Sequence, residues 1–221
     1  MTDPSSQDAP YARWTAVFLI LSGVFFTLFP AVRPFFDESS LSGAAGFASA
    51  RWVVAHAFGM AGLISLVLGF LGLYLRLRSS GQERRTFLAL VLTWVGAGLT
   101  LPFFGAEAFS LHVIGRAALD ENNAALLPMV NKVRFGPGIY FVVSGLLLIA
   151  AGAVILATAV WRSGVLPKWS GVPLAVGFAA FLPSLQGAPL FQPLRIAIGV
   201  VIWAGCVWLA AGLAGRGRRG P

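Results

Sequence analysis

The sequence predicts an all-α fold: a polytopic transmembrane helix bundle of six spans with both termini in the cytoplasm. Three observations predict it. Of 221 residues, 57% are hydrophobic and 11% charged, whereas soluble domains carry about a quarter charged residues. Apolar runs reach or exceed the roughly 18 residues that mark a bilayer crossing. Lysines and arginines gather beside these runs, not in a stripe interleaved with aromatics. The first two exclude a water-soluble domain, and the third excludes nucleic-acid binding despite a net charge of +8.

The chain opens with a polar, acidic, Pro-containing stretch, unlike the basic start of a cleavable signal, so residues 1–13 read as a flexible N-terminus. The spans follow near 14–32, 52–75, 86–109, 139–161, 172–190 and 194–213, within a transmembrane domain covering 14–213. The fifth carries Pro173, Pro183, Gly187 and Pro189, which predicts a short, kinked or broken helix. Residues 214–221 form a basic tail with Arg216, Arg218 and Arg219. Ten basic residues lie on the side of the N-terminus, Arg76, Arg78, Arg84 and Arg85 among them, against six on the other: Arg33, Arg51, Arg116, Lys132, Arg134 and Arg195. This bias places both termini inside.

On the outer side, residues 110–137 mix apolar and charged positions in AALDENNAALLPMVNKVRF, as an interfacial helix broken or started at Pro128 does. Small residues recur at sevens: Gly138, Gly145 and Gly152 in the fourth span, Ala55, Gly62 and Gly69 in the second, Gly205 and Gly212 in the sixth. This interval keeps one face on a neighbour, so these three helices are expected to meet closely. The halves show no alignable repeat, which removes the best sequence support for an inverted-repeat transporter. Cys206, the only cysteine, lies in an apolar run and reads as packing.

One acid lies inside a span: Glu107, in TLPFFGAEAFS. A carboxylate there is costly unless it faces the bundle or water, which makes it a site candidate. Thr93, Thr100 and Glu107 recur at sevens as an inward polar stripe; Pro102 bends the helix and Gly105 permits close approach. His56, in RWVVAHAFGMAG, falls about one turn into the second span at the level of Glu107. His112 and Arg116 continue outward from Glu107 at helical spacing, and Arg33, Arg51, Arg134 and Arg195 join them at the rim. Phe103, Phe104, Phe109 and Tyr140 could wall an apolar pocket beside the acid. Glu107 could instead neutralise Arg51 or Arg195, and His56 could bond a backbone carbonyl. His56, Glu107 and His112 lack metal-site spacing, so neither a metal nor another cofactor is expected. The seven tryptophans, Trp52 included, read in part as interfacial anchors.

These residues admit three functions. The first is an outward-side pocket around Glu107 and His56, with Thr100, Phe103 and Tyr140, that binds or transports a small or lipophilic molecule. The second is an intramembrane enzyme using Glu107 as general acid or base on a lipophilic substrate. The third is an accessory subunit, its glycine faces docking a membrane-protein partner or a second copy of the chain. Around GAEAFSLHVIGRAALDENNAALLPMVNKVRFGPGIYF and VWRSGVLPKWSGVPLAVGFAAFLP, the chain resembles uncharacterised six-pass bacterial membrane proteins, actinobacterial-like. The resemblance implies the bacterial cytoplasmic membrane as compartment and brings no mechanism.

Overall fold

The computed structural model describes residues 4–184 and 191–214, with side chains from residue 11 onward. Residues Gly187 and Pro189 of the fifth apolar run and the tail arginines therefore lie outside the described residues. Every regular element among those described is helical: α1 (Pro4–Val32), α2 (Leu41–Phe47), α3 (Ala50–Leu77), α4 (Glu83–Gly105), α5 (Leu111–Asp120), α6 (Pro128–Arg134), α7 (Gly138–Ser163), α8 (Val172–Ser184) and α9 (Gln192–Ala214).

Five helical stretches are long and apolar enough to cross a membrane: Tyr11–Val32, Ala50–Ser80, Glu83–Asp120, Gly138–Ser163 and Gln192–Ala214. In none does the bundle bury even half of the apolar window. Large side chains such as Trp94 and Leu147 point outward, 65% and 56% exposed. An apolar exterior of this extent is compatible with an integral membrane protein and not with a monomer in water. α8 is shorter, 13 residues, or about 20 Å of helix against a hydrocarbon core of about 30 Å.

Following the chain, α1 packs on α3, α3 on α4, α4 on α7, α7 on α8, α8 on α9, and α9 returns to α1. The six apolar helices close a ring in sequence order, around a core that includes Phe26, Leu63, Phe104, Ile149, Phe178 and Ile202. The heptad glycines mark close approaches as expected, but the partners differ. Gly145 and Gly152 press on α4, Gly62 and Gly69 on α1, and Gly205 on Leu174 of α8. α3, α7 and α9 do not converge on one another. In a ring each helix has two flanking neighbours, so each small-residue face serves its own partner. α4 and α7 meet backbone to backbone, where a Cβ on Gly96 would fall 2.5 Å from the Gly145 carbonyl oxygen.

One end of the ring carries a cap. Ser40 caps α2 by accepting from the Gly43 amide at 3.1 Å, and Ser49 accepts from Trp52 at the start of α3. α2, unforeseen in the sequence, packs on α5. Phe47, Leu111, Ala118, Leu127 and Val130 build a second small core there. α5 is no separate interfacial helix. It continues α4 through a π-helical turn, Ala106–Ser110, giving a 38-residue helical run, Glu83–Asp120. α6, begun by Pro128 at its first turn, is the short element between that run and α7.

The ring makes a paired prediction. Gly96→Ala is expected to cost about 1–3 kcal/mol, the range for overpacking a tight contact. Gly98→Ala, with nothing within 4 Å of the added carbon, is expected to stay within about 1 kcal/mol of the parent. Unfolding in mixed micelles reads both, and equal behaviour of the two variants contradicts the α4–α7 approach.

Candidate functional site

At the capped end the helices enclose a recess of about 760 Å³. Each of the six ring helices supplies part of its wall: Phe29 from α1, His56 from α3, Phe104 from α4, Val142 from α7, Leu182 from α8 and Arg195 from α9. Phe35, Phe36 and Glu38, before α2, and Arg134 and Phe135, at the end of α6, complete it from above. The lower wall is aromatic and aliphatic and the upper rim is charged.

Glu107 lies in the π turn, 6% exposed. Such a turn loosens the ordinary backbone ladder, and here the indole Nε1 of Trp52 donates to the Glu107 carbonyl oxygen at 2.7 Å. Trp52 is fully buried. It is a brace for the site and not an interfacial anchor, because the loop before α2 and the cap cover the start of α3.

The carboxylate of Glu107 meets the guanidinium of Arg134 as a fork, with Nε donating to Oε1 at 2.6 Å and a terminal nitrogen donating to Oε2 at 3.1 Å. A two-point charge-assisted pair fixes both direction and plane. The remaining arm of Arg134 donates to Glu38. Burial works against the charge on Arg134, but the two carboxylates outweigh it and hold the guanidinium above its usual value. Glu38 also faces Arg33 at 3.6 Å. Burial pulls Arg33 down to about 10, against a pull upward from Glu107, and at neutral pH it keeps its proton. The burial of this charge therefore works against folding, and Glu38 and Glu107 offset part of that cost.

His56 is buried and ringed by Phe29, Trp52 and Phe104. Its Nδ1 donates to the Trp52 carbonyl oxygen at 2.7 Å, since that oxygen can only accept. The tautomer is thereby set. Nε2 faces Glu107 Oε2 at 3.6 Å.

The structure gathers some of the expected site residues and disperses others. Glu107, His56, Phe103 and Arg195 line the recess together. Arg195 donates from Nε to the Ser184 carbonyl oxygen at 2.6 Å. Thr100 does not reach the recess. It is fully buried, donates to the Gly96 carbonyl oxygen and packs on Gly145 of α7, so it belongs to the helix contact. Tyr140 is 77% exposed and points away, as does Phe109. His112 donates from Nδ1 to the Phe47 carbonyl oxygen at 3.0 Å, tying α5 to α2. Arg116 and Arg51 are exposed. The cation on Glu107 is Arg134 and not Arg51 or Arg195. The sequence marks Arg33 and Arg134 as rim residues without pairing them, and it does not by itself single out Glu38 as a partner. The available signal was the acid pair Asp37–Glu38 close to Arg33 in a chain with only eight acids.

Among the described residues, no three His, Cys, Asp or Glu side chains stand close enough to share a metal ion. The described lining includes no Ser, Thr, Cys or Lys; the groups there that could act as nucleophiles are the carboxylates Asp37, Glu38 and Glu107 and the imidazole of His56. No protein-family model, curated protein or solved structure matches the chain. The geometry alone carries the functional reading.

The fork makes its own prediction. Arg134→Ala strands the buried carboxylate of Glu107 and is expected to cost about 3–5 kcal/mol, the range for breaking a buried pair from one side. Adding Glu107→Gln is expected to recover part of that loss, while Arg116→Ala stays within about 0.5 kcal/mol of the parent. Unfolding in mixed micelles separates the three, and no recovery in the double variant contradicts the pairing.

Proposed function

We propose that the chain is a six-span protein of the bacterial cytoplasmic membrane, with both termini in the cytoplasm and the recess opening toward the outer side, and that this recess receives a small lipophilic molecule. The carrying observation is that all six ring helices converge on one space with an apolar floor and a charged rim. Its volume, about 760 Å³, falls in the range of about 300–1,000 Å³ usual for small-molecule sites. The orientation draws support from the excess of Lys and Arg on the side of the N-terminus. α8 then spans as a short helix, through a bilayer thinned locally.

The enzyme reading is the weaker one. Both oxygens of Glu107 are held by Arg134, which leaves neither free to pass a proton to a substrate in the recess. The accessory reading draws on that same fork, which fastens the cap to the ring whether or not anything binds. The space beside the fork favours binding.

Two measurements test the proposal. Reporter fusions are expected to place Gly81 and the C-terminus in the cytoplasm and Asn122 outside; the reverse pattern ends the orientation. Radiolabelled dodecanol, a neutral chain of suitable girth, is expected to bind the parent protein, and Val142→Trp, which pushes a ring into the recess, to abolish that binding. A parent protein that takes up no dodecanol ends the binding reading.

A further inference from the structure

Arg33 is the first residue beyond α1, and its guanidinium stands at the recess. The guanidinium carbon lies 4.5 Å from the centre of the Trp52 ring and 4.8 Å from that of Phe35. Such contacts engage the flat faces of the group and leave its edge, with five N–H donors, to find acceptors. Among the described residues no hydrogen bond meets that edge. The nearest carboxylate, Glu38, stands at 3.6 Å, and its other oxygen is already taken by Arg134. The side chain keeps 16% of its surface exposed, so these donors stay open to the recess, where an incoming acceptor can reach them.

The charges at the rim point the same way. Of the charged side chains lining the recess that are not exposed to solvent, three guanidiniums (Arg33, Arg134 and Arg195) face two carboxylates (Glu38 and Glu107). Asp37 is exposed and turned to the amide and hydroxyl of Ser39, whose hydrogen bonds hold its carboxyl below the usual range. Its charge is exposed and screened by water. His56 adds no negative charge and is engaged by Trp52 and Glu107. Beneath Arg33 the wall turns apolar, with Phe29, Phe104, Val142 and Leu182.

We propose that the recess selects an amphiphile with an anionic oxygen head, a carboxylate or a phosphate, which docks on the edge of Arg33 while its hydrocarbon chain lies along Phe29, Phe104, Val142 and Leu182. The proposal rests on the binding reading above and names the chemistry of its ligand. Glu38 is the internal competitor: it shadows Arg33 when the head is absent and gives way when it is present.

The test uses the full chain in nanodiscs of zwitterionic phosphatidylcholine at pH 8, with radiolabelled dodecanoate, radiolabelled dodecanol and inorganic phosphate as probes. Dodecanoate is expected to bind about tenfold or more tightly than dodecanol, the margin of one charge-assisted contact. Arg33→Gln is expected to erase that margin and leave dodecanol binding intact, which also reports that the variant is folded. Glu38→Gln, which removes the competitor, is expected to tighten dodecanoate several-fold and leave dodecanol unchanged. Inorganic phosphate at millimolar concentration is expected not to displace dodecanoate. Equal affinity for the two chains, unaltered by either substitution, overturns the anionic head while leaving the recess reading in place. Displacement by phosphate overturns the amphiphile in favour of a soluble anion. Uptake of neither chain overturns this proposal together with the reading beneath it.

Discussion

A carboxylate in an apolar helix has to be met by a cation brought from elsewhere in the chain, and that requirement shapes the capped end of this protein. Glu107 obtains Arg134, 27 positions later, and through Arg134 it obtains Glu38 from the segment before α2. Three separate stretches are thus fastened at one point, which brings the segments before α2 and around α6 over the ring. Desolvating these charges is expensive, and geometry this complete is the condition under which the attraction offsets it. Trp52 completes the arrangement from below by holding the backbone of the very residue whose side chain Arg134 holds.

The architecture was legible because composition and run length respond to the solvent more than to any partner. The extents of α3, α7 and α9 follow directly from apolar runs bounded by charge, whereas α1 begins at Pro4, inside the stretch expected to be flexible, and α4 runs on into α5. α8 was legible as an exception, since Pro173 and Pro183 lie in it. Lateral neighbours were not. A seven-residue interval announces that a face is occupied, but it carries no label for the occupant, and Gly145 meets α4 where α3 or α9 had been expected.

The site was legible in its two costliest residues and illegible in what completes them. Glu107 and His56 stand out because polar groups in oil demand an explanation. Arg134 and Glu38 lie outside the spans, where charged residues are ordinary, so nothing local distinguishes them from solvated ones. Thr100 went to the wrong place for a related reason. Extrapolating the heptad from Thr93 and Thr100 through Glu107 assumes an unbroken period of 3.6, and Pro102 followed by the π turn interrupts it. Thr100 stays against α7 while Glu107 turns toward α3 and α6.

That π turn also determines how the two halves of the long helix are phased. One surplus residue in a helix rotates everything after it by roughly 100° relative to everything before. Leu111, Gly115 and Ala118 are buried in α5, where they pack beneath the cap. In an uninterrupted α-helix their azimuth would be different, and the same three side chains would look toward some other quarter of the molecule. The bulge therefore acts as a splice between two registers, one addressed to the ring and one to the cap. A lineage that lost the surplus residue would keep a sound membrane helix and lose the alignment of everything built on its outer end.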